Sequence, residues 1–170
     1  MNDIADKYLL QLETENLFEI KSLKDISIDE ANQLKPLWDK FKKETSKSSY
    51  FKYKDSPYQK WISQFKKGKV KILLAIDDNK SIGFIIGQIK EDSEKYLSAY
   101  IGAIYLEPEY RSKGIANDMF KAIMDWFKES NKSIVRLKTI GSNVGAQKFY
   151  KKMGFIPEII TMRNKDSKGL

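Results

Sequence analysis

A short basic loop before an amphipathic helix holds the residues whose types and spacing most clearly suggest chemistry. An apolar run ends at Leu106, a turn follows at Pro108, and residues 111–116 lead into the helix. The first N–H groups of a helix have no carbonyl partner within it, and the helix dipole favours negative charge there. Arg111 and Lys113 add two positive charges to that position. The segment therefore predicts a binding site for a phosphate or pyrophosphate group.

The helix itself is predicted by the spacing of its apolar residues. Apolar side chains recur at the helical period from the end of the loop onward. They are Ile115, Met119, Ile123, Trp126 and Phe127. Polar and charged residues fill the opposite side, so we expect one face of the helix to be buried.

Two segments together resemble the motifs of one enzyme family. The loop lacks the Gly-Lys-Ser/Thr of a P-loop and the G-x-G-x-x-G of a dinucleotide site. It resembles the pyrophosphate loop of the GNAT-type N-acetyltransferases, Arg/Gln-x-x-Gly-x-Gly/Ala, through Arg111, Gly114 and Ala116. A later segment resembles that family's Asn-x-x-Ala-x-x-x-Tyr-x-x-x-Gly-Phe helix, with the matching residues Asn143, Ala146, Tyr150, Gly154 and Phe155. On these two motifs the chain is identified as a member of that family, with the resemblance clearest over residues 70–155.

The resemblance implies acetyl-CoA as the cofactor and assigns residues to it. The pantetheine arm is expected to pair, in the manner of an added strand, with the backbone of Ile104, Tyr105 and Leu106. Asn143 is expected near the pantetheine or pyrophosphate, or as the N-cap of its helix, and both roles are compatible. The pyrophosphate is expected on the loop and its flanks, which are Arg111, Ser112, Lys113, Gly114, Ile115, Ala116 and Asn117.

The same resemblance implies direct attack of a primary amine on acetyl-CoA in a ternary complex, without a metal. Tyr150 is expected to act as the general acid, because a phenol with an ordinary pKa of ~10 is protonated at neutral pH and can protonate a departing thiolate. The general base is open. Glu107 and Tyr100 are candidates, a water relay or no base at all are alternatives, and Glu107 has the competing interpretation of a solvated loop carboxylate.

The acceptor is expected to contact the segment between Thr45 and Trp61 and the turn near residues 91–94. Aromatic residues in the first segment are candidates for a pocket wall or for core packing under a loop: Tyr50, Phe51, Tyr53, Tyr58 and Trp61. Acidic residues in the turn are candidates for attracting a cationic amine or for simple solvation: Glu91, Asp92 and Glu94. A small amine, an amino acid, an antibiotic and a protein N-terminus all remain open as acceptors.

Composition limits the other classes of function. The chain has 170 residues, no cysteine and no histidine, so thiol nucleophiles, disulfides, imidazole bases and zinc sites are not expected. The net charge of +8 comes mostly from dispersed lysines, so we expect no nucleic-acid partner. No apolar run is long enough for a membrane span and the N-terminus lacks a signal-peptide layout, so we expect a cytoplasmic protein. Family resemblance is also compatible with a homodimer.

The elements that would position these residues predict one domain over residues 1–170. We expect an α/β (α+β) fold of the GNAT type, with a central mixed, mostly antiparallel sheet flanked by about four helices. Hairpin signals flank a turn at residues 77–80. Ser27 and Glu30 form a candidate capping box. The predicted strands are 17–24, 70–76, 81–90, 99–106, 133–139 and 155–163, and the predicted helices are 27–43, 57–67 and those that begin at Ile115 and Asn143.

Three functional hypotheses follow. The leading one is an acetyl-CoA-dependent N-acetyltransferase, acting on a small molecule or, within the same class, on a protein N-terminus. The second is a non-catalytic acyl-CoA-binding or regulatory module that keeps the phosphate loop. A basic nucleic-acid-binding domain is the third, and charge alone supports it.

Overall fold

A mixed sheet organises the part of the chain up to Lys138, and residues 139–170 form a second compact unit. The computed structural model describes residues 18–23, 28–45, 57–65, 67–91, 97–132 and 134–162. Within these ranges the strands are β1 (Glu19–Ser22), β2 (Val70–Asp77), β3 (Lys80–Glu91), β4 (Leu97–Leu106) and β5 (Val135–Leu137). They lie side by side in chain order, with β1 to β4 antiparallel and β5 parallel to β4. The predicted mixed, mostly antiparallel sheet is confirmed.

Four helices occur in the described ranges, as the sequence predicted. They are α1 (Ile28–Thr45), α2 (Pro57–Phe65), α3 (Ile115–Glu129) and α4 (Val144–Lys152). The crossover from β4 to the parallel strand β5 contains α3, as parallel pairing requires. None of the described helices is both long and apolar enough to cross a membrane.

Helices α1 and α2 cover one face of the sheet. Side chains of a strand alternate between its two faces, so every second residue of β2, β3 and β4 meets these helices. Trp38 of α1 is 2% exposed and packs edge-on against Trp61 of α2, with ring centroids 4.7 Å apart. The shared core contains Leu34, Leu37, Trp38, Trp61, Ile72, Leu74, Phe84, Ile86, Ala103 and Tyr105. Trp61 is therefore a core residue, one of the two roles that the sequence left open for it.

Helix α3 packs on the opposite face. Its buried residues are Ile115, Met119, Phe120, Ile123 and Phe127, whereas Trp126 is only half-buried. The helix lies close to β3 at Gly87, where an added Cβ would come within 2.7 Å of Ile123 Cγ1. The apolar stripe predicted for α3 is thus confirmed, with Phe120 added to it.

Strand β4 contains a β-bulge. Ile86 pairs with Ala103 but the next residue, Gly87, pairs with Ile101, so Gly102 is the extra residue of a β-bulge. A Cβ on Gly102 would lie only 2.4 Å from Gln88 Nε2. The absence of a side chain at this position therefore makes room for the Gln88 amide above the bulge.

The predicted hairpin between β2 and β3 is also confirmed. Asp77 pairs with Lys80, and the two residues between them have positive φ angles of 43° at Asp78 and 62° at Asn79. Two consecutive left-handed residues define a type I′ turn, whose twist matches that of the flanking strands.

The strand predicted at residues 155–163 is wrong over the described part of that range. Residues 155–162 have no regular secondary structure. Four of their apolar side chains are 78–89% exposed, namely Ile156, Ile159, Ile160 and Met162. Apolar composition predicted burial, but a strand also needs a hydrogen-bonded ladder, and Pro157 removes one donor from it. The strand predicted at residues 133–139 is shorter than expected, because β5 contains Val135–Leu137 only.

Several predicted features fall on residues or side chains outside the described structure. They are the capping box of Ser27 and Glu30, the aromatic side chains of Tyr50, Phe51, Tyr53 and Tyr58, and the acidic side chains of Glu91, Asp92 and Glu94.

Candidate functional site

The loop between β4 and α3 presents backbone donors that have no acceptor among the described residues. The Arg111 N–H bonds to the Pro108 carbonyl at 3.2 Å, and the Asn117 N–H bonds to the Gly114 carbonyl at 2.8 Å. Between these two residues, no described group accepts a hydrogen bond from the N–H groups of residues 112–116. Ser112 has a φ of 64° and Gly114 has a φ of 89°. Left-handed residues in a loop favour concave arrangements of N–H groups that bind anions.

Gly114 leaves this cradle, which we define as residues 112–116, open on one side. A Cβ at Gly114 would have no neighbouring atom within 4 Å. As the N-cap residue of α3, Gly114 also provides no side-chain acceptor for the first turn of the helix. The space beside Gly114 is therefore open, and the N–H groups without acceptors lie at the positive end of the helix dipole.

Arg111, the first residue of the predicted motif, has its guanidinium occupied by protein groups. Nε donates to the Leu106 carbonyl at 2.9 Å, and the two terminal nitrogens donate to the two carboxylate oxygens of Glu44 at 2.9 and 2.7 Å. The hydrogen bonds to Glu44 are the main reason that the pKa of Arg111 is raised further. The guanidinium also lies 5.6 Å from the centre of the Tyr105 ring. The guanidinium is thus bound to Glu44 of α1 and to the backbone at the end of β4.

Glu107 is buried at the end of β4 and has two partners. It is 5% exposed, accepts a hydrogen bond from the Tyr105 hydroxyl at 3.0 Å and forms an ion pair with Lys40 of α1. The alternative interpretation of Glu107 as a solvated loop carboxylate is therefore wrong. Burial, followed by the hydrogen bond to Glu107, raises the pKa of Tyr105 to about 12.

The 3₁₀ turn Pro108–Tyr110 is attached to the sheet by a tyrosine. The Tyr110 hydroxyl donates to Asp77 Oδ2 at 2.7 Å, and this hydrogen bond is the main reason that the pKa of Tyr110 is raised. Lys113 is exposed, and its Nζ lies 5.2 Å from the centre of the Tyr110 ring. The lead-in to the cradle is therefore fixed to the end of β2, with a lysine ammonium beside it.

Strand β4 has an open edge just before this turn. The ladder between β4 and β5 ends at the pair Ile101 and Leu137. Strand β5 ends at Leu137, so residues 102–106 of β4 continue without a β5 partner.

Hydrogen-bond alternation decides which backbone groups face that edge. The Glu107 N–H bonds to the Ile82 carbonyl of β3 at 2.9 Å. In an antiparallel ladder, every second residue bonds to the same neighbour, so the backbone of Tyr105 also faces β3. Ile104 and Leu106 face the open edge instead. Of the three residues predicted to pair with pantetheine, these two have backbone groups directed to the edge, although the Leu106 carbonyl already accepts a hydrogen bond from Arg111. Tyr105 contributes its side chain to the Glu107 contact.

Tyr100, the other candidate base, lies on β4 two residues before the bulge. It is half-buried, and the Lys90 ammonium lies 3.7 Å from the centre of its ring. Near it, the half-buried Gln88 amide has no hydrogen-bond partner among the described residues.

Helix α4 carries the second predicted motif in the unit from Thr139 onward. The Asn143 side chain accepts a hydrogen bond from the Ala146 N–H at 3.0 Å, so its expected role as N-cap is confirmed. Tyr150 is 9% exposed, and its ring centre lies 5.5 Å from that of Phe149 and 6.1 Å from that of Phe155.

The sequence did not reveal three residues that hold the lead-in to the cradle: Lys40, Glu44 and Asp77. Lys40 and Glu44 are four residues apart on a helix, and this spacing indicates that they share a face. That signal was present in the sequence, but it does not show which strand the face meets.

A family model, curated relatives and solved structures are similar to this chain. The model of the Acetyltransferase (GNAT) family matches residues 37–155. An uncharacterized N-acetyltransferase of Methanocaldococcus jannaschii is 26% identical over 148 residues, which cover 85% of this chain and 64% of that protein. N-alpha-acetyltransferase 30 of Schizosaccharomyces pombe is 30% identical over 82 residues, which cover 48% of this chain and 55% of that protein. The chain thus spans less than two thirds of the length of these relatives.

A solved structure agrees with the fold. AAC(6')-Iy, in complex with the bisubstrate analog CoA-S-monomethyl-acetylneamine, matches with a TM-score of 0.66 over 87% of this chain and 98% of that chain. The sequence identity is 16%, so the likeness concerns the fold alone. The family model, in contrast, covers most of the sequence, including the cradle and the capped helix α4. The chain belongs to the Acetyltransferase (GNAT) family.

Proposed function

We propose that this chain is a single domain that transfers the acetyl group of acetyl-CoA to a primary amine by direct attack in a ternary complex. The observation that carries the proposal is the set of unused N–H groups at residues 112–116, directly after the open edge of β4. An extended arm followed by a pyrophosphate has the shape and charge that these two consecutive features accept. Coenzyme A has both parts in that order.

Cofactor binding is assigned to backbone groups more than to side chains. In this proposal the pyrophosphate accepts hydrogen bonds from the cradle, and the exposed Lys113 ammonium adds positive charge. The backbone of Ile104 and Leu106 binds the pantetheine arm at the open edge of β4. The thioester supplies an activated acetyl group, and a β4 N–H near the Gly102 bulge stabilises negative charge on its oxygen. Loss of such a donor typically costs ~3–4 kcal/mol.

Proton transfer is assigned to Tyr150 and to a base other than Glu107. Family resemblance supports Tyr150 as the acid that protonates the departing sulfur. The two contacts of Glu107, with Lys40 and Tyr105, favour a role in holding the end of β4 over proton abstraction. Tyr100 therefore remains the candidate base on β4, and an amine that arrives neutral needs none.

The acceptor in this proposal is a primary amine, and the assay compares several classes of amine. AAC(6')-Iy is named an aminoglycoside N-acetyltransferase, and the Schizosaccharomyces pombe relative is named an N-alpha-acetyltransferase. The panel should therefore include aminoglycosides, free amino acids and polyamines, and short peptides with different N-terminal residues.

The test follows thiol release from acetyl-CoA in the presence of each amine. Because the chain has no cysteine, a thiol reagent reports coenzyme A without a background from the protein. We expect amine-dependent thiol release with at least one class, together with an acetylated product detected by mass spectrometry. Tight binding of coenzyme A without amine-dependent release across the panel would instead support the non-catalytic acyl-CoA-binding module.

A further inference from the structure

Two residues of α1 contact the segment that ends β4 and begins the cradle. Glu44 binds Arg111 with both carboxylate oxygens, and Lys40 pairs with the buried Glu107. The two α1 residues are four apart, so they lie on the same face of the helix. Helix α1 is therefore attached at two points to the chain that leads into the candidate cofactor site.

The Arg111 side chain closes the turn between β4 and the cradle. Its Nε donates to the carbonyl of Leu106, five residues earlier, so the side chain spans the whole 3₁₀ turn. A bidentate guanidinium–carboxylate pair fixes the orientation of the guanidinium plane in a way that a single contact does not. Glu44 thereby sets the position of Arg111, and Arg111 in turn holds the Leu106 carbonyl.

The pairing also changes the charge balance of the cradle. The carboxylate of Glu44 neutralises the Arg111 charge locally, and three guanidinium N–H groups are committed to protein acceptors. The remaining attraction for an anion comes from the backbone N–H groups of residues 112–116 and from Lys113. The charge of Arg111 suggested a phosphate ligand, whereas its guanidinium hydrogen-bonds to protein groups.

We propose that Glu44 is a positioning residue for coenzyme A binding, which acts through Arg111 by holding the turn from Leu106 to the cradle. In this arrangement Arg111 is not itself a phosphate ligand. The inference rests on the proposed function, because the ligand of the cradle is taken to be the pyrophosphate of coenzyme A.

The direction in which Glu44→Gln changes the affinity for coenzyme A distinguishes a positioning role from a purely electrostatic one. Glu44→Gln removes a negative charge near an anion site, and simple electrostatics then predicts tighter cofactor binding. A positioning role predicts weaker binding, because the neutral amide cannot form the charged two-oxygen contact with Arg111. Glu109→Gln is the matched control, since Glu109 is exposed in the same turn and its charge is removed in the same way.

The experiment is isothermal titration of each variant with coenzyme A, with urea unfolding measured in parallel. We expect Glu44→Gln to raise Kd about three- to fivefold, the upper range for the loss of a partly exposed ion pair. Glu109→Gln should leave Kd unchanged or slightly lower. The urea midpoint should change little in both, because the Glu44 and Arg111 side chains are 46% and 41% exposed.

Arg111→Lys tests the same pair from its other side. Lysine keeps the charge but cannot form the fork, so this variant should lose affinity to a similar extent. The double variant Glu44→Gln/Arg111→Lys should be no weaker than the single variants, because both remove one shared contact. Unchanged or tighter binding in Glu44→Gln, or full affinity in Arg111→Lys, would overturn the inference. Failure of the wild-type protein to bind coenzyme A would contradict the proposed function instead.

Discussion

Gly114 combines a left-handed backbone with an empty space where a side chain would project. Gly114→Ala adds only a methyl group, so it should reduce stability by about 1–2 kcal/mol through backbone strain and keep most of the affinity for coenzyme A. Gly114→Glu carries the same strain and adds bulk and negative charge beside the cradle, so it should abolish binding. Titration calorimetry on both variants compares the two effects. Equal affinity of Gly114→Glu and Gly114→Ala would contradict the assignment of the cradle.

Tyr150 is the residue on which the proposed proton transfer to sulfur depends. Tyr150→Phe removes only the hydroxyl and keeps the ring that packs near Phe149 and Phe155. We expect kcat to fall about 10²- to 10⁴-fold, the usual contribution of a general acid, with nearly unchanged affinity for coenzyme A. Thiol release measures the first quantity and calorimetry the second. Tyr100→Phe, assayed in parallel, tests the candidate base, and full activity of Tyr150→Phe would require another proton donor.

The raised pKa of Tyr105 makes the free energy of unfolding depend on pH. Its pKa is about 12 in the folded protein, above the ordinary phenol value, so the folded state holds this proton more tightly than the unfolded state. The resulting stabilisation is complete below about pH 10 and is lost as the pH rises towards 12. Urea unfolding of the wild type should therefore lose more free energy over that window than unfolding of Tyr105→Phe. If the free energies of unfolding of the two proteins changed equally between pH 10 and pH 12, the Tyr105 hydroxyl would not be held as described.

At this scale the sequence predicted backbone function better than side-chain partners. A glycine before a helix is a local signal, and the structure has a left-handed Gly114 and N–H groups without acceptors at that place. The ion-pair partners of Arg111 and Glu107 lie 67 residues earlier in the chain, and nothing local indicates them. The sequence therefore suggested a phosphate for Arg111, whereas the structure gives it Glu44.

At the level of secondary structure, the packing of α3 on β3 determines the position of the cradle. The helix that begins at the cradle packs on β3 through Ile123 and Phe127, and Gly87 permits the close approach. Gly87→Ala would place its Cβ within 2.7 Å of Ile123 Cγ1, so the Ile123 side chain or the helix must shift. We expect a loss of about 1–3 kcal/mol in the free energy of unfolding, the usual cost of overpacking.

Gly141→Ala is a suitable control for that variant. A Cβ at Gly141 meets no atom within 4 Å, and its φ lies outside the left-handed region. Its urea midpoint should stay close to that of the wild type. Equal midpoints for Gly87→Ala and Gly141→Ala would mean that α3 does not pack against β3 as closely as described.

The order and type of the elements were predictable because each has a local period. The apolar stripe of α3 and the alternation of β2 and β3 needed no knowledge of their partners. Register and pairing did not follow in the same way. The bulge at Gly102 depends on how β3 and β4 align, and residues 155–162 have the composition of a strand without a ladder.

For the molecule as a whole, charge and shape make different predictions about ligands. A net charge of +8 attracts any nucleotide, whereas an open strand edge followed by an anion cradle favours an extended arm with a pyrophosphate. ATP has the phosphates but lacks the arm. Comparing ATP with coenzyme A therefore separates general electrostatic attraction from the specific fit that the structure suggests.

The most direct test of the account is a thermal-shift measurement with acetyl-CoA, coenzyme A and ATP. A ligand present at a hundred times its Kd adds about 2.7 kcal/mol to the stability of the folded state. For a chain of this size, that corresponds to an increase in Tm of about 5–10 °C. We expect such an increase with both coenzyme A forms and a much smaller one with ATP. No increase at saturating coenzyme A, or an equal increase with ATP, would contradict it.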